Sequence, residues 1–175
     1  EMPASGNSFA GPVATIAVSP KDAQTLYWGL AFLGGGSAHL FKSSDGGQTK
    51  TDISGNLPAV PVNALLIDPL QPNNIYAATD VGVFVASDGG VANEQWIRLG
   101  DNLPAAAVLS LSVTSAGGTP LLVAGTHGRG AWSIPLASVP IFSMSLSPAT
   151  LGVEQGQSGV FQLQTAAVNG PSTLT

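Results

Sequence analysis

The sequence contains no cysteine and few charged residues. Its 175 residues include five Lys and Arg, ten Asp and Glu, and two His, so charged residues make up 9% and the formal net charge is −5. Without cysteine the chain has no disulfides and no thiolate ligands, and two histidines are too few for a zinc site of the usual kind. With no basic surface to neutralise phosphates, nucleic acid is not an expected partner. We therefore predict no metal, no cofactor and no nucleic-acid ligand.

Long apolar runs are also absent. No stretch approaches the ~18 to 20 apolar residues that span a bilayer, so we predict no membrane span. Glu1 is not an initiator, and no signal-type segment follows it, so we interpret the start as a cut within a longer chain. The lack of cysteine is compatible with a bacterial exported protein whose core alone stabilises it.

Glycine, proline and apolar residues are abundant instead. The chain has 22 Gly and 13 Pro, and 44% of its residues are hydrophobic. This balance suits many short strands joined by turns, and no apolar stripe with helical spacing and caps interrupts it. The composition predicts an all-β fold.

A repeat runs along the chain. Leu57-Pro58 recurs as Leu103-Pro104, and Pro3 holds the same place at the start, giving intervals of roughly 50 residues, a period typical of propeller blades. The predicted first strands lie at residues 13–20, 62–69 and 108–113. The predicted second strands lie at 25–29, 74–79 and 120–126, the third at 39–42, 82–85 and 130–134, and the fourth at 50–54 and 95–99.

The turns after two third strands share a local pattern. The residues of the pattern are Ser43, Asp45, Gly47 and Thr49 in the first copy, and Asp88 and Gly90 in a degraded second copy that has Ala86 where Ser is expected. The aspartate carboxylate is placed to accept backbone N–H bonds within its own turn, and the glycine adopts positive φ without a Cβ penalty. We predict that these residues are structural.

The pattern Ser-x-Asp-x-Gly-x-Thr resembles the Asp-box (BNR repeat) of sialidase-like, sortilin-like and xyloglucanase-like β-propellers. The resemblance implies that residues 1–137 are about two and a half four-stranded blades, at residues 4–58, 59–104 and 105–136. It also implies further blades upstream of Glu1, and a last blade completed by a strand from the other end of the domain.

After residue 137 the pattern of residues along the sequence changes. The alternating segments 142–148 and 160–165 resemble the first strands of bacterial immunoglobulin-like domains. Because a complete sandwich takes ~100 residues, we predict that residues 138–175 are the truncated beginning of a β-sandwich.

Few residues are suited to catalysis. Sialidases bind a carboxylate with three arginines, but Arg98 and Arg129 are the only arginines here and the Arg-Ile-Pro motif is absent. Related xyloglucan-cleaving glycosidases use two opposed carboxylates. Asp80, after the second strand of the second blade, is the one catalytic candidate, and its partner acid would lie outside this segment. The alternative is a surface aspartate in an ordinary turn.

His127 and Arg129 form the candidate ligand-binding pair. They alternate with Gly125, Gly128 and Gly130, and such a loop with two donors is suited to an anion or a sugar hydroxyl. The alternative is a tight turn with a structural Arg129. The aromatic residues suited either to stacking on sugars or to filling the space between blades are Tyr27, Trp28, Trp96 and Trp132.

Two functional hypotheses follow. The first is a non-catalytic propeller module of a secreted or cell-surface bacterial multidomain protein, which binds protein or polysaccharide through its face loops. The second is a fragment of a glycoside hydrolase whose catalytic residues lie mostly elsewhere. The residues favour the first, because enzymatic groups are scarce in this segment.

Overall fold

The computed structural model describes residues 11–31, 38–87, 89–92, 94–100 and 102–136, together with the backbone of two later strands. The elements of regular secondary structure in the described part are β-strands. Two sheets have four strands, one has three and one has two. Among the described residues, no helix is long and apolar enough to cross a bilayer.

The first two sheets are antiparallel meanders in which each strand pairs with the next along the chain. The strands of the first sheet, blade one, are β1 Val13–Val18, β2 Leu26–Leu30, β3 Leu40–Ser43 and β4 Thr51–Asp52. The strands of the second sheet, blade two, are β5 Val62–Ile67, β6 Ile75–Thr79, β7 Gly82–Ala86 and β8 Ile97–Leu99.

The third sheet, blade three, has the strand order β11-β10-β9. Its strands are β9 Val108–Ala116, β10 Thr119–Thr126 and β11 Ala131–Pro135. Farther along the chain, β12 Phe142–Ser147 pairs antiparallel with β13 Gln162–Ala167. Among the described residues the third sheet has these three strands.

The three blades share one register. In each blade the pairing of the first and second strands shifts once, directly after Val13, Val62 or Val108. A bulge at the same place in three sheets is a property of the repeating unit, because an extra residue sets the twist of the strand that carries it. The shared bulge confirms the sequence alignment of the three units. It also identifies, for residues in the paired strands of one blade, the structurally equivalent residues of the next.

The blades pack side by side. The first strands β1, β5 and β9 are neighbours in turn, and each gap between two blades holds its own apolar cluster. The first cluster joins blades one and two and includes Tyr27, Leu40, Ile53, Ile75 and Trp96. The second joins blades two and three and includes Tyr76, Val83, Leu99, Val108 and Leu122. A blade thus buries its faces against its neighbours.

The fourth strands are shorter than predicted. β4 has two residues where 50–54 was predicted, because Ser54 leaves the ladder: its hydroxyl accepts the backbone N–H groups of His39 and Leu40 at 2.9 and 3.0 Å. β8 begins at Ile97, because the N–H of Trp96 donates to the Asn56 side chain at 2.6 Å. Side-chain acceptors therefore replace ladder hydrogen bonds at these two positions.

Candidate functional site

The meander topology sorts the loops onto two ends of the blades. The turns between second and third strands, and the connections from one blade to the next, lie at one end, which we call the Asp80 end. The first-to-second hairpins and the turn that contains Asp45 lie at the other, the Asp45 end. The topology therefore brings Asp80, His127 and Arg129 to the same end.

Asp80 is exposed at the tip of the β6–β7 hairpin. Its Oδ1 accepts a hydrogen bond from Asn63 Nδ2 at 2.9 Å. The same nitrogen donates to the carbonyl of Val108 in blade three at 3.1 Å. Inside the hairpin, the Thr79 hydroxyl donates to the Gly82 carbonyl at 2.9 Å. Asn63 thus orients the carboxylate and ties it to the neighbouring blade.

His127 and Arg129 are exposed in the turn between β10 and β11. Gly128 and Gly130 have φ of 77° and 73°, so the turn needs residues without a Cβ at both positions. The N–H of His127 donates to the Ala107 carbonyl at 2.8 Å, which fastens the hairpin to the connection between blades two and three. The two side chains are presented to solvent on a backbone that is itself fixed.

This end offers hydrogen-bonding groups of both kinds. Asp80 supplies an acceptor, while His127 and Arg129 supply donors, since both N–H groups of Asn63 already bind Asp80 and Val108. Within the described loops at this end Asp80 is the one acidic residue, so these loops do not bring two carboxylates together. The described residues also contain no group of three His, Asp or Glu placed to hold a metal ion. The arrangement is suited to contacting hydroxyl-rich ligands.

The turn at the Asp45 end is closed by its own side chains. The Asp45 carboxylate accepts the N–H and the hydroxyl of Thr49 at 2.8 and 2.7 Å, and the Ser43 hydroxyl at 2.7 Å. The hydrogen bonds from Thr49, followed by that from Ser43, lower the pKa of Asp45 to about 2. Gly47 has φ of 94°. The Asp45 carboxylate therefore stabilises the turn in which it lies.

The second copy of the turn is described in part. Asp88 lies outside the described residues. Gly90 has φ of 72°, and a Cβ there would meet Ile53 and Tyr27 side chains at 2.9 and 3.0 Å. The neighbouring Gly89 carbonyl accepts hydrogen bonds from Tyr27 Oη and Lys42 Nζ at 2.8 and 2.6 Å. This turn therefore packs against blade one.

Two buried carboxylates, whose roles the sequence did not reveal, hold turns. Glu94 is 2% exposed and accepts the N–H groups of Val91 and Gln95 at 2.9 and 3.1 Å. Asp68, also 2% exposed, accepts Tyr76 Oη at 3.1 Å. Burial, and then the Asp68 charge, raise the pKa of Tyr76.

Most of the candidate aromatics are buried. Tyr27 and Trp96 lie in the cluster between blades one and two, and Trp28 stacks on Phe41 with ring centroids 5.7 Å apart. Trp132, at 38% exposed, is the candidate with a broad accessible face. His39 is 1% exposed and therefore belongs to the core.

Asn63 was not singled out from the sequence. The equivalent residue of blade one is Ala14. The sequence signal that could have pointed to Asn63 was therefore an amide side chain in a first strand whose other residues are mostly apolar. Its role depends on the turn of its own blade and on the first strand of the next. Both become neighbours only in the folded sheet.

No family model matches the sequence, and no curated protein is similar to it. Solved structures do match. A GH74 enzyme from Niastella koreensis aligns over 69% of this chain with a TM-score of 0.51 and 20% identity. The GH74 xyloglucanase from Xanthomonas campestris aligns over 75% with a TM-score of 0.52 and 17% identity.

This chain is a partial β-propeller. The two alignments cover 21% and 24% of the GH74 chains, so it spans less than a quarter of their length. At these identities the likeness concerns the fold alone. The predicted fold class, all-β with partial propeller blades, is confirmed.

Proposed function

We propose that this chain is part of a glycan-binding β-propeller in an exported bacterial protein. The observation that carries the proposal is the collection of Asp80, Asn63, His127 and Arg129 at one end of adjacent blades. The Asn63 side chain bonds both Asp80 and the Val108 carbonyl of blade three, and the His127 N–H bonds the Ala107 carbonyl, so Asp80 and the His127 turn are held in place before a ligand arrives. The fold likeness to GH74 enzymes, one of them a xyloglucanase, supports a polysaccharide over a protein ligand.

The domain organisation belongs to the same proposal. Residues 1–137 form the propeller segment, with the Ser43–Thr49 turn as an Asp-box, and residues 138–175 begin an immunoglobulin-like domain. The hydrogen bonds of Asp45 support the Asp-box assignment. The antiparallel pairing of β12 with β13 supports a sheet in the later segment.

The test is binding of the full chain to a panel of polysaccharides that includes xyloglucan, followed by affinity electrophoresis and calorimetry. Asp80→Asn and the double variant His127→Ala/Arg129→Ala each remove polar groups from the Asp80 end. We expect each to weaken binding by about tenfold, since each removes one or two charge-assisted hydrogen bonds. The matched control is Leu70→Ser, which changes a residue that is 62% exposed at the Asp45 end.

Equal binding by the Asp80-end variants and the wild type would overturn this assignment. Retention of binding in these variants together with its loss in Leu70→Ser would place the ligand at the other end. Binding of a protein in place of every glycan would leave a recognition module of a different class.

A second candidate function is glycoside hydrolysis. It is favoured by the GH74 fold likeness together with an exposed, oriented carboxylate at Asp80. A glycosidase of this kind needs a second acid across the cleft, which the described loops do not supply. Release of reducing ends from xyloglucan, abolished in Asp80→Asn while binding persists, would establish this function. Binding without turnover would exclude it for this chain.

A further inference from the structure

The bulge that recurs in the three blades turns one residue of each first strand out of the ladder. In blade two the pairing passes from Val62 to Ala64, so Asn63 is the extra residue. Bulges leave such a residue unpaired and re-aim its side chain, and they are common beside functional sites. The equivalent bulge residues are Ala14 in blade one and Leu109 in blade three. Among the three bulge residues, Asn63 is the polar one.

The residue at the start of the turn between the second and third strands also differs among the blades. Ala31, Asp80 and His127 each follow the last residue of a second strand. In blades one and three the N–H of this residue donates to the carbonyl of Pro12 or Ala107, at 2.9 and 2.8 Å, which supports their equivalence. The carboxylate therefore occurs in the blade whose bulge residue is an amide.

Blades one and three form the same bulge without this polar pair. Blade one has Ala14 with Ala31, and blade three has Leu109 with His127. The amide and carboxylate of blade two are therefore not a requirement of the repeating unit. Side chains that the fold does not need, on loops held by a rigid scaffold, are typical of binding residues.

The Asn63 amide is held from two sides. Its Nδ2 donates to Asp80 Oδ1 at 2.9 Å and to the Val108 carbonyl at 3.1 Å. Because this nitrogen carries two hydrogens, both are used, and rotation of the amide would break both hydrogen bonds. Among the described residues, Oδ2 of the exposed Asp80 accepts no hydrogen bond. Oδ1 is therefore fixed, and Oδ2 is left for a ligand.

Two successive carbonyls join the two sides of the site. The Val108 carbonyl accepts the Asn63 amide, and the Ala107 carbonyl accepts the N–H of His127 at 2.8 Å. Val108 is the first residue of β9, so both carbonyls lie where the connection from blade two enters blade three. The orientation of Asp80 therefore depends on the docking of blade three.

We propose that Asn63 is the positioning residue of the Asp80 site. It fixes Asp80 Oδ1, presents Oδ2 to a ligand, and through Val108 makes this arrangement depend on the docking of blade three. The part of Asp80 as a ligand contact rests on the proposed function. Ligand binding at Asp80 and docking of blade three are then coupled, and such a coupling acts equally in both directions. A ligand that contacts Asp80 therefore tightens the junction of blades two and three.

The first test needs no ligand. It follows the side-chain amide protons of Asn63 in the full chain by NMR. We expect their exchange with water to be at least about tenfold faster in Asp80→Ala than in the wild type, because the variant removes one of two acceptors. The matched control is the side-chain amide of Asn56, which donates to the Trp96 carbonyl and should exchange equally in both proteins. Unchanged exchange at Asn63 would overturn the proposal whether or not a ligand is known.

The second test measures xyloglucan binding by calorimetry for the wild type, Asn63→Ala, Asp80→Ala and the double variant. We expect Asn63→Ala to weaken binding about fivefold, and to have no further effect in the Asp80→Ala background, because a positioning residue acts through the group that it positions. Blade one has alanine at this position, so the variant is compatible with the bulge. The matched control Leu109→Ala changes the bulge residue of blade three and should bind as the wild type does.

The coupling to blade three has its own measurement. Saturating xyloglucan should slow hydrogen exchange of the His127 N–H in the wild type, and less so in Asn63→Ala, because this N–H is bonded to the Ala107 carbonyl beside Val108. Equal slowing in both proteins would contradict a coupling through Asn63.

The binding results separate this proposal from the proposed function. Binding that Asp80→Ala weakens and Asn63→Ala leaves unchanged would overturn the positioning role while the glycan site stands. Equal weakening by Asn63→Ala with and without Asp80 would also overturn it. A wild type that binds no xyloglucan, but whose Asn63 amide exchange depends on Asp80, would overturn the xyloglucan assignment and support the positioning of Asp80.

Discussion

At the scale of single residues, Asp45 shows how one carboxylate organises a turn. Three hydrogen bonds favour its charged form, and its pKa falls from 3.8 to about 2. A folded-state pKa below the unfolded value means stabilisation that is complete above the unfolded pKa and is lost as the pH falls through the folded one. Asp45 therefore stabilises the fold at neutral pH and ceases to do so near pH 2.

We expect Asp45→Asn to lower the melting temperature at pH 7, because the amide loses the charge and presents donors to donors. The difference from the wild type should shrink between about pH 4 and pH 2. Thermal melts across this range provide the measurement, with Asp80→Asn as the comparison, since among the described residues that carboxylate accepts a hydrogen bond from Asn63 alone. A difference that persists unchanged at pH 2 would contradict the assignment.

Gly55 is a residue at which two constraints coincide. It has φ of 48°, and a Cβ there would overlap the Glu94 carbonyl of blade two. Gly117 has a similar φ of 59° with nothing near its Cβ position. The pair separates the cost of backbone strain from the cost of a collision between blades.

We predict that Gly55→Ala lowers the free energy of unfolding by at least about 2 kcal/mol, and Gly117→Ala by about 1 kcal/mol. The excess for Gly55 comes from displacing the Glu94 backbone, which also accepts the N–H of Asn56. Urea unfolding of both variants supplies the comparison. Equal costs would show that the two blades separate easily at this point.

At the scale of elements, an asparagine occupies the same position before two Leu-Pro pairs but has different contacts in the two places. Asn56 contacts the Trp96 backbone, whereas the equivalent Asn102 forms no hydrogen bond with another described residue. The same residue type at the same repeat position is therefore engaged in one gap and available in the other.

Asn56→Ala should lower the free energy of unfolding by about 1–3 kcal/mol, because it leaves the Trp96 backbone groups without their partner. Asn102→Ala should change it by less than about 0.5 kcal/mol. The two values, measured by urea unfolding, test whether the hydrogen bonds to the Trp96 backbone account for the contribution of Asn56 to stability. Similar losses for both variants would contradict it.

The strand phasing was predictable because it depends on local pattern. The apolar runs ending before Pro20 and Pro69 placed β1 and β5, and the structure confirms both strands within two residues at each end. The contacts of Asn56 and Asn63 were not predictable, because each reaches a residue of another blade that lies far away in sequence. The pocket between blades two and three, with Val83, Leu122 and Trp132 among its walls, was not predictable for the same reason, because these residues meet only when the two sheets pack.

At the scale of the whole molecule, an apolar face of blade one stands open. Ile16 and Val18 on β1 are 59% and 55% exposed. Their equivalents on β5, Leu65 and Ile67, are partly buried against the cluster between blades one and two. The surface is thus covered in blade two and exposed in blade one. The exposed apolar surface of β1 is therefore suited to contact with another molecule.

We predict that the full chain associates through this face. Sedimentation velocity should show a shift to larger species as the concentration rises, and Ile16→Thr/Val18→Thr should reduce the shift, because threonine keeps the strand propensity while removing apolar area. The matched control is Leu109→Thr on β9, where the side chain is 53% exposed on another blade. A chain that stays monomeric at all concentrations, or an equal effect of Leu109→Thr, would show that the exposed apolar face of β1 does not drive association. In that case the stability of the chain would reside in the two clusters between its three blades, and substitutions there would lower it while those on β1 left it unchanged.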